Sequence, residues 1–276
     1  LLMGQIKTID AENVPVPDTV IEEKNIEYGK VGDRSLQLDL YLPKNGKKPV
    51  PGIIFIHGGA WKSGKRDIMK YYTVRYAERG YAAATVSYRL SKEALFPAAV
   101  QDVKCAVRWM RANAEKYRID PNLIAVSGNS AGGHLAMMIG YSSDVPELEG
   151  DGGYPGVSSR VQAVVNFYGP TDLTTDFARK QGVVKDFLGK RYEEDPKLHA
   201  FASPITHLTQ DDPPTLILQG TIDSTVPLDQ AEILAAKLEE LGIDFFYEKF
   251  EGWPHTMDLA ESVNQRCRYR MNEFFA

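Results

Sequence analysis

A chain of 276 residues, 43% hydrophobic and 25% charged, can bury a sizeable core as one large α/β unit or two small ones. Its net charge of −5 comes without a basic block, which argues against a nucleic-acid or anionic-membrane surface. No run approaches the ~20 apolar residues that a membrane span needs. The two cysteines, Cys105 and Cys267, lie far apart and outside any CxxC or Cys/His cluster, so two free thiols are expected and no structural zinc site.

In chain order, residues 1–23 read as an irregular arm carrying Pro15 and Pro17. Its first residues, "LLMGQ", read either as the remnant of a removed leader or as an arbitrary start, so a secreted, periplasmic or cytoplasmic location stays open. "KNIEYGK" and "SLQLDLYLP" alternate apolar and polar residues, as half-buried antiparallel strands do. From residue 50 the pattern changes. "VPGIIFIH", "YAAATVSY", "NLIAVSG", "VQAVVNFYG", "PTLILQG" and "IDFFYEKF" are short apolar runs that suit strands covered on both faces. Between them lie "DIMKYYTVRYAERG", "PAAVQDVKCAVRWMRANAEKYRI", "AGGHLAMMIGY" and "DQAEILAAKLEELG", which carry helical spacing. "TMDLAESVNQRCRYRMNEFF" closes the chain. Strand alternating with helix predicts βαβ units and a parallel sheet in one domain over residues 24–276. The irregular stretch of about 171–212 is too short for a second core and reads as a small cap over the C-terminal edge of the sheet.

The sharpest local signal is "GNSAGG" between the strand "NLIAVS" and the helix "HLAMMIG". A strand, Gly-x-Ser-x-Gly and a helix form a nucleophile elbow. Side chains at −2 and +2 would collide across so tight a turn, so Gly128 and Gly132 fill those places and Ser130 is thrust out of the sheet. The helix that follows aims free N–H groups at the same point.

A serine hydroxyl needs a base, and the base needs an orienting acid. Among the downstream histidines, His134 reads as a packed helix residue, and His199 and His207 as cap residues. His255, in the loop "EGWPHTM" after the strand "FFYEKF", can be delivered above Ser130. The acid is read as Asp223 in "GTIDSTVP". Asp229 opens the next helix in a structural position, and Asp211 and Asp212 precede their strand and fall at the wrong end of the sheet. "IIFIHGGAWKSG" supplies an oxyanion loop, in which two small residues let the backbone approach a substrate carbonyl and turn N–H groups toward it, to join the N–H of Ala131. His57 ends a buried strand and reads as a loop-fixing residue. Trp61 and Trp253 flank these loops and suit either an aromatic or sugar platform or plain packing. With Asn129, they are the candidate pocket residues.

"HGGAW", "YRL" followed by "FPAAVQDV", then "GNSAGG", "GTIDSTVP" and "PH" resemble the α/β-hydrolase superfamily. Within it they resemble the hormone-sensitive-lipase-like esterases and, more closely, the feruloyl-esterase-like carbohydrate esterases. The resemblance runs from about residue 24 to the C-terminus. It implies an α/β-hydrolase fold with a mostly parallel eight-stranded sheet, an antiparallel second strand and a short cap. It also implies the triad Ser130, Asp223 and His255, with an oxyanion hole from Gly59, Ala60 and Ala131 and with Gly58 shaping the loop. Three positions depart from the pattern: Ala60 stands for a third glycine, Asn129 precedes the nucleophile, and Pro254 precedes the histidine.

The expected function is a serine carboxylic-ester hydrolase acting through an acyl-enzyme without metal or organic cofactor. Its substrates are expected among short-chain acyl or aryl esters, small or linked to plant polysaccharide as acetyl or feruloyl groups. An amide hydrolase of formamidase or peptidase type and a non-catalytic binder of the same fold are the rival readings. Oligomeric state is not legible.

Overall fold

The computed structural model describes residues 6–46, 48–143 and 145–276. The "LLMGQ" start, on which the location reading rested, lies outside the described residues. Eight strands form a single sheet in the order β1-β2-β4-β3-β5-β6-β7-β8. Strands β1 (Val20–Val31) and β2 (Arg34–Pro43) pair antiparallel, and β2 pairs antiparallel with β4 (Ala82–Val86). The rest, β3 (Val50–Ile56), β5 (Ile119–Asn129), β6 (Ala163–Phe167), β7 (Thr215–Gly220) and β8 (Phe245–Phe250), run parallel with their neighbours and with β4. This is the expected sheet. β1 begins at Val20, inside the stretch read as an arm, because its edge pairs with β2 as far as Pro43.

Every residue of β4 and β7 is buried, because helices cover both faces of the sheet. On one face α2 (Ala98–Ala112), α4 (Ala131–Tyr141) and α9 (Leu228–Leu241) pack Val103, Val107, Leu135 and Leu234 onto Ile54, Ile56, Val126 and Ile217. On the other, α1 (Lys70–Glu78) and α10 (Glu261–Phe274) cover Ile53, Phe55, Val165 and Leu216 with Tyr72, Tyr76, Val263 and Met271. Both cysteines are buried and unpaired.

Two helices are shorter than their patterns suggest. The long run after Pro97 breaks at Asn113, whose side chain donates to Trp109 O at 2.9 Å, leaving α3 (Ala114–Tyr117) as one turn before Arg118 at φ 54°. The last helix begins at Glu261 rather than near Thr256. Residues Met257–Leu259 form a separate 3₁₀ turn, and the arm crosses the chain there, with Ile9 N donating to Leu259 O and Glu261 N to Lys7 O.

Residues 171–212 hold four short helices, α5 (Asp176–Arg179), α6 (Gly182–Leu188), α7 (Pro196–Phe201) and α8 (Pro204–His207). Buried Gln230 of α9 ties the start of this segment down by accepting both the Thr171 and Asp172 N–H groups at 2.9 Å. No helix among the described residues is long and apolar enough to cross a membrane.

Candidate active site

The elbow is as tight as its glycines imply. Ser130 sits at φ 55°, ψ −120° between β5 and α4, and its N–H is held by Phe167 O at 2.9 Å. A side chain on Gly132 would overlap the carbonyl of Ile56, and one on Gly128 would overlap that of Gly132. Ser130 Oγ lies 3.0 Å from His255 Nε2. His255 Nδ1 lies 2.6 Å from Asp223 Oδ2. Asp223 follows β7 and His255 follows β8, so two neighbouring loops at the C-terminal edge of the sheet converge on the elbow.

Asp223 is fixed from all sides. Its Oδ1 accepts the Thr225 and Val226 N–H groups at 2.9 Å, and Gln219 Nε2 donates to Oδ2 at 3.3 Å. A carboxylate can only accept, so His255 must present its Nδ1 proton to Asp223, which leaves Nε2 to accept from Ser130. Pro254 does not keep His255 from this position.

The loop after β3 is strained. Gly59, Ala60 and Trp61 have φ of 114°, 52° and 57°, the latter two unusual for residues other than glycine. Gly59 O accepts from Lys62 N and Ser63 N, and Trp61 O from Ser91 N. Tyr88 stacks on His57 and donates to its carbonyl at 2.9 Å, and His57 Nδ1 donates to Gly58 O at 2.7 Å. Asn129 Oδ1 accepts the Gly58 N–H at 2.8 Å. Among the described residues no protein acceptor takes the N–H of Gly59 or Ala60, and that of Ala131 is a free donor at a helix start. Ala60 and Ala131 both border the space beside Ser130.

That space is a small apolar cavity of about 70 Å³, walled by Trp61, Leu173, Phe177, Val183, Val184 and Val226. Trp61 is its rigid side. The indole stacks on Phe187 of α6 at 4.5 Å and donates Nε1–H to His134 Nδ1 at 3.2 Å, while His134 Nε2 donates to Ala202 O at 2.8 Å. The loop after β3, the helix α4 and the segment 171–212 are thus joined through one imidazole. Burial pushes His57 and His134 down to about 4, so both are neutral near pH 7.

Of the three pocket candidates, only Trp61 lines the cavity. Asn129 is turned toward the loop after β3, whose Gly58 it anchors. Trp253 packs on the opposite core cluster with Phe250 and Val263, and its carbonyl accepts Ile222 N–H. The remaining histidines stay away from Ser130. The His199 ring nitrogens face the carbonyls of Leu173 and Lys190, and His207 Nε2 faces that of Phe201. Asp229 lies in the first turn of α9, and Asp211 and Asp212 precede β7 at the far end of the sheet. A wider cavity of about 530 Å³ beside Arg108 and Gly153 opens among the loops leading into β6, at that same far end.

Sequence reasoning missed Gln219, Gln230 and Phe187, which carry no motif and act only through tertiary contact. It also missed Tyr168, whose ring stands edge-on to His255 at 4.6 Å.

Residues 38–238 match the family model BD-FAE. The chain belongs to the BD-FAE family. The match contains Ser130 and Asp223 and ends before His255. The chain is 30% identical to the truncated form of a carbohydrate esterase from gut microbiota, with a TM-score of 0.84 over 95% of this chain and 97% of that one. It is 27% identical to the butyrate-bound thermophilic esterase Est2 of Thermogutta terrifontis, with a TM-score of 0.80 over 91% and 92% of the two chains. Esterase LipC of Mycobacterium tuberculosis is 32% identical over 252 residues, 88% of this chain. The chain spans 62% of the length of LipC and 59% of that of its relative LipQ. Across the BD-FAE match and these esterases, the α/β-hydrolase fold is common ground.

Proposed function

We propose that this BD-FAE chain is a serine carboxylic-ester hydrolase, with Ser130 as nucleophile, His255 as base and then acid, and Asp223 as the group that orients His255. The observation that carries the proposal is the continuous hydrogen-bonded line from Ser130 Oγ through His255 to Asp223 at the mouth of an apolar cavity. Ser130 attacks the acyl carbon while Nε2 takes its proton. The imidazolium, paired with Asp223, returns the proton to the leaving alcohol. Water then enters through the same base and releases the acid. The Gly59, Ala60 and Ala131 N–H groups face the developing oxyanion, and each such donor stabilises a transition state of this kind by roughly 3–4 kcal/mol.

Residues 171–212 act as the cap, since Leu173, Phe177 and Val184 close the acyl side. The cavity limits the acyl group. A narrow apolar cavity beside Ser130 favours short acyl groups such as acetyl to butyryl over a feruloyl group. A short cap leaves the alcohol side open, which suits acetyl esters carried on a polysaccharide as well as small esters.

The test is a p-nitrophenyl ester series from acetate to palmitate, with methyl ferulate, acetylated xylan and N-formylkynurenine, run on wild type and Ser130→Ala. Turnover that peaks at two to four carbons, includes acetylated xylan and vanishes in Ser130→Ala is expected. Ser130-dependent turnover of N-formylkynurenine alone would replace the ester reading with amide hydrolysis, and no Ser130-dependent turnover at all would leave a binding protein.

A further inference from the structure

Beside His255 lies a second buried carboxylate that the proposed chemistry leaves unused. Asp258 stands in the 3₁₀ turn Met257–Leu259 and is 1% exposed. Tyr72 of α1 donates to its Oδ2 at 2.8 Å, and Tyr168, just past β6, donates to its Oδ1. Asn264 of α10 donates to Tyr72 Oη and to Asp258 O, both at 3.0 Å. Because Tyr72 Oη accepts from Asn264, its own proton is left for Asp258. Two phenol donors aimed at one carboxyl group suit its ionised form. Among the described residues no lysine or arginine forms an ion pair with Asp258.

Tyr168 links this carboxylate to the histidine. Its ring packs edge-on against the imidazole, centroids 4.6 Å apart and planes at 62°. Its backbone is held at φ 42°, a left-handed conformation costly for an aromatic residue. The surroundings impose it. Tyr168 N–H is taken by Leu218 O at 2.9 Å, and the next residue, Gly169, is pressed against the first turn of α4, where a side chain would strike His134 N. Strain of this kind persists where packing overrides it, and here it places a phenol between His255 and Asp258.

Resting on the reading of His255 as the base, the geometry points to Asp258 as a positioning residue for His255, acting through Tyr168 and adding a second negative charge toward the imidazolium. Asp223 compensates that cation at Nδ1, and Asp258 does so through a dry, rigid path. The other titratable groups facing Asp258 are Tyr72, Tyr168 and Cys267. Burial pushes all three well up, so they stay neutral over the working range. Burial also raises the Asp258 carboxyl, and its two tyrosine hydrogen bonds and the charge on His255 oppose that rise. The groups facing His255 are Asp223, Ser130 and Tyr168.

The experiment is an NMR titration of the His255 ring in wild type and Asp258→Asn, with kcat and KM for p-nitrophenyl acetate measured on the same samples. In folded Asp258→Asn the His255 ring takes up its proton at a lower pH than in wild type, because a negative charge that favours the imidazolium is gone. kcat falls about tenfold and KM is unchanged. A titration midpoint equal to that of wild type overturns the inference. Should Asp258→Asn fail to fold, Tyr168→Phe decides, since it keeps the ring on His255 and cuts the bond to Asp258. A several-fold loss of kcat at constant KM supports the link, and wild-type kcat refutes it. The titration requires no turnover, so a wild type without Ser130-dependent activity would sink the proposed function and still leave the coupling of Asp258 to His255 to be read.

Discussion

Ser130 and His255 meet at 3.0 Å, yet the chain delivers them by opposite means. On the serine side the constraint is steric and local. Two glycines leave no room for a Cβ, a strained loop packs beneath them, and the two histidines that brace it are dry and neutral. On the histidine side the constraint is polar and long-range. Asp223 holds one face of His255, and the Tyr168, Tyr72 and Asp258 cluster backs the loop through a bond spanning 186 residues of sequence. As the proposed nucleophile, Ser130 is strained and only half-buried, so close packing builds it. The base must change charge, so hydrogen bonds build its setting.

The comparison breaks first at the proton path. Asp223→Asn keeps the shape and presents the wrong ring proton, so kcat falls about 10³–10⁴-fold with folding intact, as p-nitrophenyl acetate kinetics and circular dichroism would reveal. A loss below tenfold would mean that Asp223 does not orient the base. Next comes Trp61→Ala, which opens a void between the oxyanion loop and Phe187. The expected cost is about 3–5 kcal/mol in urea unfolding, together with a shift of the ester optimum to longer chains. Trp253→Ala, on the other core face, leaves that optimum where it is.

Acid sharpens the contrast. His57 and His134 bind protons at about 4 when folded and at 6.5 when free. The unfolded chain therefore takes up protons first as pH falls. Stability is complete above pH 6.5, declines toward pH 4, and loses about 3 kcal/mol per histidine across that window. Denaturant melts from pH 7 to 4 should show each of these two histidines adding up to one proton to the slope, and His57→Gln should remove one of those two contributions. The smallest difference concerns glycine. Gly132→Ala meets backbone and costs about 3 kcal/mol or prevents folding, whereas Gly252→Ala, at φ 72° in open space in the His255 loop, costs about 1 kcal/mol. Similar melting temperatures for the two variants would refute the steric account of the elbow.

These differences also set what the sequence could disclose. The strands announced themselves as apolar runs, and the elbow as two glycines about a serine, because both signals lie within a few residues of chain. The places of Asp223 after β7 and of His255 after β8 could be read from the strand pattern, and the structure brings the two together. Tyr168, Asp258 and Gln219 were not, since a buried polar contact between distant segments has no period and no spacing. Asn129 and Trp253 lie next to site residues in sequence, yet one turns to Gly58 and the other to the far core, which adjacency alone does not reveal.

The central claim is that Ser130 is a nucleophile activated by His255. Intact-mass and peptide-mapping analysis after treatment with a fluorophosphonate tests it most directly. The account predicts one adduct per chain, on Ser130, absent in Ser130→Ala and formed at least a hundredfold more slowly in His255→Ala, on the order of the loss when a general base is removed. An adduct on another residue, or equal labelling rates in wild type and His255→Ala, would contradict it.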